Sequence, residues 1–290
     1  MSRPRVIVAD FQRGAMDVEQ KILGDLADVE ALAVSSEEQL WGKIEDAAAV
    51  MVYHTLKVTQ ATIGRLKNCK LIVRCGVGFD NVDHIFARSR GIPVANVPDY
   101  GNEEVADSAI GLLLSLARGI AFQNTKLRPA GTEWKFDHVA PLYRLRGKTL
   151  GIIGLGRIGT AAALRGKALG MDVAFYDPYK PDGYDKAVGV RRVEVLEELL
   201  SQSFAVSCHC LLTPGTQHIM NAKTIEQMPK GSYLINTSRG AVVDIGAIPA
   251  AIASGRLAGA GIDVLPTEPP PEDHPLLVAW RNPEHPAYHR

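Results

Sequence analysis

A glycine-rich turn followed by one acid carries the clearest chemical signal in this 290-residue sequence. Gly154-Leu155-Gly156-Arg157-Ile158-Gly159 follows the apolar run KTLGII (148–153) and opens a helix-like segment, and Asp177 ends the next apolar run. Glycines at this spacing permit a tight turn, a close backbone approach and close helix packing. Free N–H groups at the start of a helix attract phosphate oxygens. The spacing therefore predicts a binding site for a dinucleotide pyrophosphate.

The acid indicates which dinucleotide would bind. Asp177 can accept hydrogen bonds from both hydroxyls of a ribose and would repel a 2′-phosphate, so we predict NAD rather than NADP. Lys180 follows closely, and a cation there weakens this preference. The alternative, a glycine turn with a purely structural role, does not account for strand, helix and acid occurring together.

A parallel sheet is needed to position these residues. Short apolar runs alternate with helix-like segments, which indicates parallel strands buried on both faces. Two series of such runs occur, at 5–10, 29–34, 48–54, 70–76 and 92–98, and then at 148–153, 171–176, 204–210, 232–237 and 258–264. We therefore predict an α/β protein with two doubly wound parallel-sheet domains, residues 1–100 and 101–290.

Three helix boundaries can also be predicted. Residues 37–47 show helical spacing of apolar side chains, with Ser36 as N-cap. Residues 102–119 read as one long helix, with acids at its start and Arg118 near its end. Proline is tolerated only in the first turn of a helix, so Pro249 places a helix start at about residues 246–247.

The composition excludes several classes of partner. Lys+Arg and Asp+Glu both number 32, so there is no electrostatic reason to expect nucleic acid or a membrane as a partner. No apolar stretch reaches the ~20 residues of a membrane span, and the N-terminus has no signal-peptide pattern, so we expect a cytoplasmic protein. The four cysteines form no CxxC pair and are expected to be reduced. No His/Cys/Asp cluster has metal-ligand spacing.

Further motifs point to a family. They are RCGVGFDNVD (74–83), GIPVANVPDYGNEEVAD (91–107), CHCLLTPGTQHIMN (208–221), INTSRGAVVD (235–244) and GAGIDVLPTEPP (259–270). With the glycine motif at mid-chain, they resemble the D-isomer-specific 2-hydroxyacid dehydrogenases over nearly the whole chain. VYHT (52–55) and FYDPYKPDG (175–183) are most similar to the branch of C-terminal binding proteins. That branch includes NAD-sensing transcriptional co-repressors and bacterial dehydrogenases.

The resemblance implies a flavodoxin-like substrate domain, a Rossmann NAD-binding domain, and hydride transfer between NAD(H) and a small 2-keto or 2-hydroxy acid. Arg239 would bind the substrate carboxylate and polarise the keto oxygen, and Glu268 would pair with a catalytic histidine. The backbone N–H groups of Val77 and Gly78 would form a second carboxylate contact, and His54 could face the substrate. The resemblance assigns the cofactor contacts to Val105, Gly154, Leu155, Gly156, Arg157, Ile158, Gly159, Tyr176, Asp177, Pro178, His209, Cys210, Thr213, Thr237, Ser238 and Asp263.

The last residues depart from the family pattern. The family's histidine lies in a Pro-His step after an apolar strand, whereas the tail offers His274, His285 and His289 in other contexts. We therefore expect a C-terminally truncated relative without the closing segment of the substrate domain and with impaired turnover. Three interpretations stay open: a dehydrogenase that is a homodimer through residues 102–119 and 120–146, a non-enzymatic NAD-binding dimer acting as a co-repressor-like scaffold or sensor, and a decayed gene product.

Overall fold

Strands form where apolar side chains are continuous along the chain, because helices cover both faces of a parallel sheet. The computed structural model describes residues 3–10, 16–54, 56–135, 142–281 and 288–289. The chain divides into two units, Met1–Tyr100 and Gly101–Arg290.

The first unit is built on five parallel strands. They are β1 (Arg5–Val8), β2 (Asp28–Ala31), β3 (Ala49–Val52), β4 (Leu71–Arg74) and β5 (Val94–Asn96). Their order in the sheet, β2-β1-β3-β4-β5, is that of flavodoxin-like folds. The described α-helices are α1 (Asp17–Leu23), α2 (Gln60–Ile63) and α3 (His84–Ser89). Ile7, Val50 and Ile72 from the three central strands lie in its core.

The helix predicted for residues 37–47 is wrong. Only one turn of 3-10 helix, Glu37–Leu40, forms there, because Gly42 takes a left-handed conformation with φ of 83°. The side chain of Ser36 makes no capping hydrogen bond. The helical spacing instead reflects burial in the core, where Ile44 is fully buried.

The second unit is built on seven parallel strands. They are β6 (Thr149–Ile153), β7 (Asp172–Tyr176), β8 (Arg191–Arg192), β9 (Ala205–Cys208), β10 (Ser232–Asn236), β11 (Leu257–Ile262) and β12 (Tyr288–His289). Their order, β12-β11-β10-β9-β6-β7-β8, is the Rossmann order with one strand added at the β11 edge. The predicted α/β class and the ten predicted strands are confirmed, whereas the two-residue strands β8 and β12 were not predicted.

The described helices of this unit cover its sheet. They are α4 (Asn102–Ala117), α5 (Ile120–Leu127), α6 (Arg157–Ala168), α7 (Tyr184–Val188), α8 (Leu196–Gln202), α9 (Ala222–Glu226), α10 (Ala247–Ala253) and α11 (Pro275–Arg281). Ala109 and Leu113 of α4 are buried in the same core as Leu150 of β6. No single described helix is long and apolar enough to cross a membrane; α4 and α5 reach that length and composition only together, as a pair bent by 60°.

Two helix boundaries test local predictions. The long helix ends at Ala117 rather than at residue 119, because Gly119 has φ of 63° and terminates it in the left-handed conformation. The start predicted from Pro249 is confirmed, since α10 begins at Ala247 with Gly246 as N-cap.

Candidate functional site

The glycine turn after β6 lies where the strand order of the second sheet reverses. From β6 the chain continues to β7 on one side and later returns to β9 on the other, so a crevice opens at the carboxyl ends of β6 and β9. Gly154 has φ of 88°, and a Cβ there would lie 2.7 Å from the backbone of Cys210. Only glycine fits between these two strand ends.

The other two glycines shape the start of α6. Gly156 is its N-cap, and a Cβ on this residue would have no neighbouring atom within 4 Å, so the space in front of the helix is open. A Cβ on Gly159 would lie 2.1 Å from the carbonyl oxygen of Gly154, so this glycine lets the helix pack against the turn. The N–H groups of Arg157 and Ile158 have no acceptors inside the helix and can bind phosphate oxygens in that space.

Asp177 is held beside the same turn. Its Oδ2 accepts a hydrogen bond from the N–H of Leu155 at 2.9 Å, and its Oδ1 accepts one from the N–H of Tyr179 at 3.0 Å. A carboxylate oxygen has a second lone pair, so each oxygen can still accept from a ribose hydroxyl. The turn and the acid are therefore fixed relative to each other by the protein itself.

His209 forms the wall behind the glycine turn. Its Cβ lies 3.3 Å from the position of a Cβ on Gly159, and its Nε2 is 2.8 Å from the hydroxyl of Ser207. Burial lowers the pKa of His209 to about 4, so the imidazole is neutral at physiological pH. It therefore adds no positive charge to the crevice.

Two buried polar atoms near the carboxyl ends of the strands have no hydrogen-bond partner among the described residues. They are Nδ1 of His209, after β9, and Oγ1 of Thr237, after β10. Buried polar groups are nearly always paired, so these atoms are candidates for contacts with a bound group. With the open space before α6 and the placed carboxylate of Asp177, they fit a dinucleotide.

The remaining predicted cofactor residues lie on elements that the structure fixes. Tyr176 is the last residue of β7, and Cys210 touches the glycine turn as described above. The loop that contains Thr213 is ordered by Thr216, whose hydroxyl accepts from the Thr213 N–H at 2.8 Å. Pro178 follows Asp177 and is exposed, and Val105 lies half-buried in the first turns of α4.

Arg239 lies in a turn after β10 that Asn236 organises. The fully buried Asn236 side chain donates to the carbonyl oxygen of Arg239 at 2.9 Å and accepts from the N–H and the hydroxyl of Ser238 at 3.1 and 2.8 Å. One Arg239 guanidinium N–H donates to the carbonyl oxygen of Ser238 at 3.0 Å. The turn thus places a half-buried guanidinium group at the carboxyl end of a central strand.

The loop after β11 carries the two predicted acids. The N–H of Asp263 donates to the carbonyl oxygen of Asn236 at 3.0 Å, which joins this loop to the end of β10. Oε1 of Glu268 accepts from the N–H of Leu265 at 2.8 Å. Both acidic side chains are exposed. The second unit therefore brings Arg239, Asp263 and Glu268 to neighbouring loops.

The first unit places its predicted residues at the carboxyl ends of β3 and β4. The side chain of Asn96 donates to the carbonyl oxygen of Val77 at 2.7 Å and so fixes the backbone of the loop that continues to Gly78. The N–H of Val97 donates to the carbonyl oxygen of Gly76 at 3.0 Å and fixes the preceding residue.

Arg74 is a residue that sequence reasoning missed. It ends β4, is only 4% exposed, and its Nη2 is 3.4 Å from Nδ1 of the exposed His54. A Cβ on Gly76 would lie 1.7 Å from Nη1 of Arg74, so that glycine leaves room for the guanidinium group. The signal was available, because a cation at the end of an apolar strand run needs a specific reason to be buried.

Among the described residues, no group of three or more His, Cys, Asp or Glu side chains could hold a metal ion. The four cysteines are free, and Cys208 is fully buried. His285 lies outside the described residues, as does residue 290. The side chain of His289 is likewise outside the description, although its backbone pairs with Gly261 of β11.

Comparisons with known proteins agree with this geometry. Residues 110–285 match the family model described as "D-isomer specific 2-hydroxyacid dehydrogenase, NAD binding domain". The chain is 38% identical over 258 residues to D-3-phosphoglycerate dehydrogenase of Methanocaldococcus jannaschii. The aligned residues make up 89% of this chain and 48% of that protein. It is 35% identical over 269 residues to C-terminal-binding protein 1 of Caenorhabditis elegans, where the aligned residues make up 91% of this chain and 37% of that protein. The chain thus spans half or less of the length of these two relatives.

A solved structure is similar over most of its length. The crystal structure of D-lactate dehydrogenase from Aquifex aeolicus, complexed with NAD and lactic acid, has a TM-score of 0.79 and 30% sequence identity, over 90% of this chain and 77% of that one.

Proposed function

We propose that this chain, which belongs to the D-isomer specific 2-hydroxyacid dehydrogenase family, transfers a hydride between NAD(H) and a small 2-keto or 2-hydroxy acid. NAD is the cofactor of the family domain that residues 110–285 match. The observation that carries the proposal is the Arg239 turn, in which Asn236 holds a guanidinium-bearing residue at the carboxyl end of β10. The likeness to a dehydrogenase that was crystallised with NAD and lactic acid supports a substrate of this size and charge.

The chemistry assigns a separate task to each group. When bound, NADH supplies the hydride that reaches the carbonyl carbon. The guanidinium group of Arg239 binds the carboxylate and polarises the keto oxygen, which takes up negative charge as the hydride arrives. The oxygen then takes a proton, which water can supply, and Glu268 is placed to stabilise a protonated imidazole as the faster donor. His209 is not that imidazole, because burial lowers its pKa to about 4 and leaves it neutral at pH 7, and a neutral imidazole is too weak an acid to give up its N–H proton.

The preference for NAD over NADP is part of the proposal. The carboxylate of Asp177 is bound to the glycine turn and would repel a 2′-phosphate. Lys180, the cation that could offset this repulsion, has its Nζ 4.6 Å from the ring centroid of Tyr184. This cation–π contact supports a preference for the unphosphorylated dinucleotide.

Steady-state kinetics tests the proposal. NADH oxidation is followed at 340 nm with a panel of 2-keto acids that includes glyoxylate, pyruvate and hydroxypyruvate. Replacing Arg239 with Gln is expected to lower kcat/KM at least ~100-fold, because it removes a charge-assisted contact that strengthens in the transition state. The matched control is Arg191→Gln on edge strand β8, where the arginine is exposed and binds Gln202. Equal activity of both variants would contradict the role of Arg239.

We also propose a homodimer that uses residues 102–119 and 120–146, of which 136–141 lie outside the described residues. Large apolar side chains in this segment are exposed, with Ile120 57% and Trp134 87% accessible. A dimer through this segment would remove these apolar side chains from water. Light scattering during size-exclusion chromatography should give twice the chain mass of 31.3 kDa. A single chain mass at micromolar concentration would contradict the proposal.

A second candidate function is that of a non-enzymatic NAD-binding scaffold or sensor. The similarity to C-terminal-binding protein 1 over 91% of this chain supports it. Fluorescence titration with NADH, followed by the same panel of keto acids, separates the two candidates. Binding with no turnover on any substrate would favour the second one.

A further inference from the structure

The loops that carry Arg239 and Glu268 are stacked backbone on backbone. Gly240 directly follows the arginine and is buried. A Cβ on it would lie 2.0 Å from the carbonyl carbon of Leu265, 2.2 Å from the nitrogen of Pro266 and 2.5 Å from the carbonyl oxygen of Leu265. These neighbours are main-chain atoms, which cannot swing away like the end of a flexible side chain.

On the Gly240 side of this contact, hydrogen bonds and burial hold the turn in place. The N–H groups of Val242 and Val243 donate to the carbonyl oxygens of Arg239 and Gly240 at 3.1 and 3.2 Å. Both valines are fully buried. On the amino side, the turn is fixed by the side chain of Asn236.

On the other side of the contact, the loop that carries Glu268 is less constrained by packing. Pro266, Thr267 and Glu268 are exposed. Within this loop, the Glu268 carboxylate accepts a hydrogen bond from the N–H of Leu265 at 2.8 Å. Anything that pushes the peptide between Leu265 and Pro266 outward therefore moves the anchor of the carboxylate, while Arg239 stays in place.

We propose that Gly240 is a positioning residue: because it has no side chain, the 265–266 peptide rests directly on the Arg239 turn, and this contact sets where the Glu268 carboxylate lies. Its catalytic consequence rests on the proposed dehydrogenase function, whereas the contact itself does not. A glycine directly after the arginine is therefore required by packing, and no positive φ at residue 240 is needed to explain it.

The kinetic test compares three variants. Gly240→Ala should reproduce the defect of Glu268→Gln, with kcat lowered at least ~10-fold and the KM for the keto acid and the Kd for NADH within about threefold of the unmutated chain. It should differ from Arg239→Gln, which weakens substrate binding. The control is Gly246→Ala at the exposed N-cap of α10, where φ is −65° and the nearest atom to a new Cβ is Oδ1 of the Asp244 side chain at 3.3 Å. Unchanged kcat in Gly240→Ala would overturn the proposal.

Hydrogen exchange provides a readout that does not depend on activity. In the NADH-bound chain, the amide of Leu265 should exchange at least ~10-fold faster in Gly240→Ala than in the unmutated protein, because its acceptor has moved. If Gly240→Ala fails to bind NADH, the unmutated protein decides: a protected Leu265 amide that loses protection in Glu268→Ala, which removes its acceptor, supports the proposal. Exchange of that amide at the rate of an unstructured peptide overturns it. If no keto acid is reduced by the unmutated chain, the proposed function fails, while the exchange measurement still tests the contact.

Discussion

The N–H of Leu155, inside the glycine turn, donates to Oδ2 of Asp177 at 2.9 Å. This hydrogen bond joins the end of β6 to the end of β7, the two strand ends that present the pyrophosphate and ribose sites. The acid is thereby held in position before a cofactor arrives. Such preorganisation lowers the ordering cost of binding.

The first prediction concerns the choice of dinucleotide. Asp177→Asn should raise the Kd for NADH about 10-fold, because a charge-assisted hydrogen bond to the ribose is lost, and should strengthen NADPH binding, because the repulsion of its phosphate is removed. Fluorescence titration with both dinucleotides measures this. Asp172→Asn, at an exposed acid at the start of β7, is the control. If the ratio of the NADH and NADPH affinities is unchanged in Asp177→Asn, Asp177 does not determine the choice of dinucleotide.

The second prediction concerns the packing of α6. In Gly159→Ala the new methyl group would have to lie 2.1 Å from the carbonyl oxygen of Gly154, so the helix start must shift. Overpacking of this kind typically costs about 1–3 kcal/mol. We expect at least ~10-fold weaker NADH binding, since the phosphate-binding N–H groups move with the helix. The control is again Gly246→Ala, and equal NADH affinity of the two variants would contradict the prediction.

The third prediction concerns the loop at Val77. Asn96→Ala removes the hydrogen bond of 2.7 Å that fixes the Val77 carbonyl group, so the following N–H groups lose their fixed direction. The KM for the keto acid should rise about 10-fold while the Kd for NADH is unchanged. Asn68→Ala, at an exposed asparagine of the same unit, should change neither value. A rise in the Kd for NADH without a rise in KM would argue against this role of the loop.

The fourth prediction is a pH dependence of stability. Burial by itself would raise the pKa of Glu37, but hydrogen bonds from the Thr59 N–H and from the hydroxyls of Thr62 and Thr59 outweigh it and lower this pKa below its usual value of 4.5. A carboxyl group with a lowered folded-state pKa stabilises the fold above its unfolded pKa, and this contribution is lost as the pH falls through the lowered value.

Glu37→Gln should therefore destabilise the chain by about 1 kcal/mol at pH 7. The difference from the unmutated chain should shrink as the pH falls below the usual value of 4.5. Thermal melts between pH 3 and 7 measure it, with the exposed neighbour Glu38→Gln as control. A deficit that stays constant down to pH 3 would show that the charge of Glu37 is not the cause.

The sequence predicted those parts of the fold that depend on short-range patterns. The buried runs before Gly154 and Asp177 are continuous and apolar, as strands covered on both faces must be. The break after Ala117 was not predicted, because Gly119 resembles any other glycine until its φ is known. The helix predicted for residues 37–47 was wrong for the same reason: the apolar spacing is helical, but Gly42 stops the helix.

The site could be predicted only where single residues have a recognisable type. Arg239 and Asp177 were predicted from the sequence, but the positions of the two residues depend on Asn236 and Leu155, through hydrogen bonds that each join a side chain to the backbone. The stacking of Gly240 on Leu265 joins residues 25 positions apart (265 minus 240) and has no local signature. Contacts of this kind become visible only when the loops are folded together.

The most direct measurement is the fate of the transferred hydrogen. The chain is incubated with a 2-keto acid and NADH that carries deuterium at both C4 positions, and the product is examined by mass spectrometry. We expect the proposed hydride transfer to give a 2-hydroxy acid with one deuterium at C2, formed at least ~100-fold more slowly by Arg239→Gln. NADH that binds but leaves every keto acid of the panel unlabelled would contradict it.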